Sequence, residues 1–154
     1  MTITQVRWLR SGSREDDRTL SHAARQLARY VELMTGTEWD TGPARKLGTA
    51  DGTAWMGICS NMPAPPTGSL SPAPWDDGFV VWAQDGGLFI SGRNARSVLF
   101  GVYAFLESQG VRFVRPGRSG EIVPERDQIT LPAEPLAEEP RYRHRGLCIE
   151  ARPR

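Results

Sequence analysis

Phe79-Val80-Val81-Trp82-Ala83-Gln84-Asp85-Gly86-Gly87-Leu88-Phe89-Ile90-Ser91 decides the fold. Two short apolar runs flank Gln84-Asp85-Gly86-Gly87, and Asp-Gly supplies the positive φ angles that a tight turn needs, so the segment reads as a β-hairpin. Both runs are apolar at successive positions rather than alternate ones. Strands of that kind lie centrally in a sheet, with at least one side covered by helix.

Toward the C-terminus, Asn94 is a good helix N-cap, and Val98, Leu99, Val102, Phe105 and Leu106 give a broad apolar face that runs up to Gly110. Gly101, inside this helix, costs about 1 kcal/mol relative to alanine, which predicts a close neighbour at its backbone. Three short extended pieces follow, at Val111–Val114, Gly120–Pro124 and Ile129–Leu131. Residues 133–140, rich in proline and acid, read as a linker. Beyond it, Leu147-Cys148-Ile149 reads as a strand.

Toward the N-terminus, Ala54–Cys59 is a short apolar run bounded by turn residues, hence a buried strand. The proline-rich stretch from Met62 to Pro74 lacks a continuous set of backbone donors and reads as an exposed connector. Residues 37–53 show no sustained period and are expected to be a loop with one short extended piece. Leu20, Ala24, Leu27, Val31 and Met34 recur at spacings of four and three, so they line one stripe of an amphipathic helix that ends at Gly36. The acids of Ser11–Asp17 suit the helix start, and Thr2–Leu9 is the first strand. The expected fold is α+β: a mixed sheet of about five strands with two helices packed on one face. Residues 1–132 form the domain, 133–140 the linker, and 141–154 the start of a further region.

The 154 residues are 39% hydrophobic, enough for one core. The formal net charge is only +1 and no apolar stretch approaches membrane-spanning length, so neither nucleic acid nor membrane is an expected partner. No signal peptide is visible, which makes a cytoplasmic location the default expectation. Cys59 and Cys148 sit in apolar contexts and read as free thiols rather than a disulfide. His22 and His144 lack metal-ligand spacing, so neither metal nor cofactor is expected. Ser91-Gly92-Arg93-Asn94 opens a helix without the further glycines and lysine of a phosphate loop, and its glycine reads as a turn. Nothing in the spacing pairs Glu32, Glu107 and Glu150 as the two carboxyls of a glycosidase. Of the five tryptophans, Trp39 and Trp75, flanked by acids and turn residues, are the candidates for exposed sugar-stacking platforms.

Several segments together resemble one family. Asp77-Gly78-Phe79-Val80-Val81, Leu88–Gly92 and Ser97-Val98-Leu99-Phe100-Gly101-Val102-Tyr103-Ala104-Phe105-Leu106-Glu107, extended by Gly110–Gly117, resemble the hairpin and helix of the N-terminal domain of α-glucuronidases and β-hexosaminidases (families 67 and 20). Glu139-Pro140-Arg141-Tyr142-Arg143-His144-Arg145-Gly146-Leu147 is similar to the lead-in to the first strand of the hexosaminidase barrel, which implies that residues 141–154 are the start of a truncated catalytic barrel. The resemblance covers roughly residues 54–152. It implies a zincin-like layout and an accessory domain of a glycoside hydrolase with no activity of its own. The implied partner is the C-terminal catalytic barrel of the same parent, whose loops would carry the acid and its partner. In hexosaminidases an arginine shortly after the first-strand carboxylate holds sugar hydroxyls. Here Glu150 stands in place of the usual aspartate and Arg152 follows two residues later instead of three, so Arg152 matches that role poorly. The alternatives are a carbohydrate-binding module using Trp39 and Trp75, or an unrelated interaction domain.

Overall fold

The computed structural model describes residues 2–66, 68, 70–73 and 75–142. Strand β1 (Gln5–Leu9) leads into helix α1 (Arg14–Thr35), and β2 (Asp40–Ala44) and β3 (Thr53–Ile58) follow. The hairpin β4 (Phe79–Gln84) and β5 (Gly87–Gly92) then precedes helix α2 (Ala95–Ser108). A ribbon of β6 (Arg112–Phe113) and β7 (Glu121–Ile122) comes next, and β8 (Leu136–Glu138) ends the series. The main sheet has the order β2-β1-β3-β5-β4-β8. Strands β2, β1, β3 and β5 run parallel, while β4 is antiparallel to both β5 and β8. Among the described residues no helix is long and apolar enough to cross a membrane.

Local rules set the boundaries. The hairpin turn is Asp85-Gly86, with φ of 49° and 75°, the mirror-type turn that suits the right-handed twist of its strands. Ser13 caps α1 by accepting from the Asp16 amide, and Glu15, Asp16 and Asp17 favour the positive end of the helix dipole. Gly36, at φ 69°, closes α1 in the left-handed region, its amide donating to the Glu32 carbonyl. Asn94 and Ser97 form a reciprocal capping box at the start of α2.

Both helices lie on one face of the sheet. Val6, Ala54, Met56, Val81, Leu88 and Ile90 point into that core against Leu20, Leu27, Val31, Val98, Val102 and Phe105. A methyl at Gly101 would stand 2.9 Å from Ile90 Cγ2 and 3.3 Å from the Phe79 ring, so the glycine lets α2 lie close on β4 and β5. Leu9, Trp55, Val80, Trp82 and Phe89 point the other way and form a second core. Its cover is mostly loop: Leu47, Ala50, Met62 and Leu70, with Ala44 at the end of β2. The described part of the Met62–Pro74 stretch is therefore no freely exposed connector, because Met62 is buried against the sheet and Leu70 packs there too.

Three further expectations need correction. Leu136–Glu138, read as part of a linker, adds an edge strand by pairing with β4. The extended piece at Ile129–Leu131 pairs with no strand among the described residues; instead the buried Gln109 amide donates to the Thr130 carbonyl (2.9 Å) and accepts from its amide (2.8 Å), standing in for a strand neighbour. Gly92 does not serve a turn: a methyl there would sit 2.6 Å from the Val98 amide, so the glycine admits the first turn of α2 against β5. The strand read at Leu147-Cys148-Ile149 lies outside the described residues.

The β6–β7 ribbon is clamped to the helices. Tyr30 and Tyr103 meet Phe113 edge-on at 5.4 and 5.2 Å, and Arg29 pairs with Glu121 at 3.0 Å. Burial raises both phenols above their ordinary pKa, and the hydrogen bond to Glu121 raises that of Arg29.

Candidate functional site

The corner where the start of β4, the start of α2 and the chain after β8 converge concentrates exposed aromatic groups. Trp75 is 67% exposed and Tyr142 74%, and with Asp76 and Pro140 they line a cleft of about 250 Å³. A neighbouring cleft of about 240 Å³ is bounded by Asp77, Phe100, Tyr103, Glu107, Glu139 and Pro140. Phe100, 40% exposed, presents a third aromatic face from α2.

These rings are held by a built frame. Asn94, besides capping α2, donates its side-chain amide to the Ala73 carbonyl (3.1 Å) and the Asp76 carbonyl (2.9 Å), fixing the chain on either side of Trp75. Arg93 donates to the Asp76 carboxylate at 2.9 Å and, through its other terminal nitrogen, to Glu139. One guanidinium thereby ties the segment bearing Trp75 to the segment leading to Tyr142. Gly78 makes this possible, since a methyl there would stand 2.8 Å from Arg93 Nε. Asp77, nearly buried, accepts from Arg96 at 2.7 Å and from Asn94 at 3.3 Å. A planar, always-charged guanidinium suits such two-partner bridging better than a lysine would.

The carboxylates Asp76, Asp77 and Glu139 are thus engaged in positioning. Rigid, exposed aromatic faces rimmed by fixed charge are suited to contact: they can seat a neighbouring apolar surface or stack on a ring.

The expected site residues fare differently. Trp75 is exposed as read. Trp39 is not: at 4% exposure it belongs to the helix-side core and only backs a cleft of about 40 Å³ beside Ile129 and Leu131, room for little more than water. A tryptophan between acids and turn residues looked exposed because the contacts that bury it come from elsewhere in the chain. Arg152, Glu150, His144 and Cys148 lie outside the described residues. His22 is exposed on α1, as are Glu32 and Glu107 on their helices. Cys59 is a half-buried free thiol whose pKa burial raises, which makes it a poor nucleophile. Among the described residues no group of three or more His, Cys, Asp or Glu side chains could hold a metal ion. The residue that sequence reasoning missed is Arg93; its only signal was its place beside the Asn94 cap.

No family model and no curated protein sequence matches the chain. In three dimensions it is similar to the N-acetyl-β-hexosaminidase of Streptomyces plicatus, with a TM-score of 0.54 at 19% identity over 92% of this chain. It is also similar to a family GH115 4-O-methyl-α-glucuronidase with specificity for decorated arabinogalactans, with a TM-score of 0.50 at 12% identity over 88% of this chain. It spans 23% of the hexosaminidase chain and 17% of the glucuronidase chain. The fold is therefore one that larger glycoside hydrolase chains carry as a part, in agreement with the resemblance read from the sequence.

Proposed function

We propose that this chain is a non-catalytic accessory domain that precedes and braces the catalytic barrel of a glycoside hydrolase, and that it seats the barrel on the Trp75–Pro140–Tyr142 corner. The likeness to about a quarter of a hexosaminidase chain carries this reading. The corner supports it further: exposed aromatic groups are gathered where the chain passes Tyr142, and Arg93 fixes both segments that bear them. Exposed apolar groups clustered on a rigid frame are the usual anchor of an interface.

Two measurements test the reading. The isolated chain should not turn over chromogenic hexosaminides or glucuronides; turnover abolished by changing one carboxylate of this chain would overturn it. Produced separately, the chain and the parent's catalytic region should associate, and Trp75→Ala combined with Tyr142→Ala should weaken association at least tenfold. Association that ignores both changes would remove the corner from the interface.

A second reading, a carbohydrate-binding surface, draws on one observation: Trp75 and Tyr142 line a common cleft beside the Asp76 carboxylate. Saturable quenching of tryptophan fluorescence by neutral oligosaccharides, lost in Trp75→Ala, would favour it over the brace.

A further inference from the structure

A net charge of +1 conceals a strong asymmetry. Arg14, Arg18 and Arg25 fall within about 40° of one another around α1, at separations along its axis of about 6 and 10.5 Å. All three are exposed, on the side of the helix away from Leu20, Leu27 and Val31. Arg10, exposed at the end of β1, joins them to line an open groove of about 680 Å³, with Ser21 and the edge of Trp8 between. The Arg10 amide donates to the Ala44 carbonyl (3.1 Å), which brings the exposed Arg45 and Lys46 alongside. The ion pairs among the described residues use Arg7, Arg29, Arg93 and Arg96, so none of these six cations has a carboxylate partner there. Asp17 is the one acid among the residues that line the groove, and one oxygen of its carboxylate is engaged, accepting from the Ser11 amide (2.8 Å) and hydroxyl (3.0 Å).

We infer that this arginine-lined groove beside α1 binds an anionic polysaccharide through carboxylates on its sugars; the choice of a saccharide rests on the function proposed above. The guanidinium fork matches a planar carboxylate with two parallel hydrogen bonds. A row of forks along a helix suits a ligand that repeats its charge, while Ser21 offers a hydroxyl for sugar hydroxyls. An acidic protein surface fits less well, because the groove lacks an exposed aromatic anchor: Trp8 is only 8% exposed. For the same reason it has no platform on which nucleic acid bases could stack.

The test uses the 154-residue chain and affinity electrophoresis at low ionic strength, with polygalacturonate as probe. Retardation is expected, fading as salt screens the charges, with none in neutral dextran. Arg18→Gln combined with Arg25→Gln should weaken binding about tenfold, and Arg118→Gln with Arg126→Gln, which removes equal charge from exposed residues that do not line the groove, should leave it unchanged. Equal weakening by the two pairs, no retardation at all, or binding of dextran sulfate or a DNA duplex as tight as that of polygalacturonate would each overturn the inference. Melting temperatures of both variants should match the parent chain, since none of these arginines forms an ion pair among the described residues. A chain that docks the catalytic region yet ignores polygalacturonate loses this inference alone.

Discussion

The two faces of the sheet are built on different principles. The helix-covered face meets α1 and α2 with interlocking aliphatic and aromatic groups, and Gly101 is spent on bringing the helix close. The other face stacks Trp82 on Phe89, with centroids 5.2 Å apart and planes 15° from parallel, and covers them with loop residues. The Trp82 indole nitrogen and the Ser91 hydroxyl are buried there without a hydrogen-bond partner among the described residues. A helix brings its backbone groups already paired and presents one stripe; a proline-rich loop covers apolar area but supplies few donors or acceptors at chosen places. One sheet can therefore have a rigid side and a more loosely satisfied one.

The largest test of this contrast is a pair of phenylalanine truncations. Phe105→Ala on the helix face should cost about 3–5 kcal/mol in urea unfolding, because two packed helices cannot close over the void. Phe89→Ala should fall at or below the bottom of that range, since loop cover can settle into the space. Equal costs would break the comparison.

Asn94 joins the two sides, capping α2 while holding the chain beside Trp75. Asn94→Ala should cost about 1–2 kcal/mol for the lost cap and should also raise the rate of proteolysis between Met62 and Asp77. A stability loss with an unchanged cleavage rate would confine its role to the helix.

A smaller effect is expected in alkali. Burial holds Tyr30 and Tyr103 above the ordinary phenol value of 10.0. A raised folded pKa means that the stabilisation is complete below that value and is lost as pH rises through the folded pKa. Urea midpoints followed from neutral pH into strong alkali should fall above about 10, less steeply in Tyr30→Phe. An identical fall in that variant would clear Tyr30 of the effect.

The smallest change is Ser91→Ala. Removing a buried hydroxyl that has no partner among the described residues should leave stability within about 1 kcal/mol, on the stabilising side. A clear loss would mean that the hydroxyl is satisfied after all and that the two faces are more alike than they look.

Much of the fold was legible because it rests on short-range rules. The Asp85-Gly86 turn, the acids before α1, the Asn94 cap, the Gly36 stop and the apolar stripes of α1 and α2 depend on residues within a few positions of one another. Strand β2 was foreseen only as a short extended piece: Asp40-Thr41-Gly42-Pro43-Ala44 has no apolar alternation, and proline is tolerated there because β2 is an edge strand. Strand β8 was hidden by its acid- and proline-rich surroundings. Of the corner, the exposure of Trp75 was legible, whereas Trp39, read as exposed, is buried, and the bridging by Arg93 was not foreseen.

By itself, then, the sequence determined the two helices, the central hairpin, the strands β1 and β3 and their order, since capping, turn chemistry and periodicity act between neighbours along the chain. The tertiary structure decided which tryptophan reaches solvent, how Arg93 joins Asp76, 17 residues before it, to Glu139, 46 residues after it, and where arginines without an ion pair among the described residues gather. Those outcomes depend on groups remote in sequence that come together only when the sheet is assembled, and no local pattern encodes a distance through space.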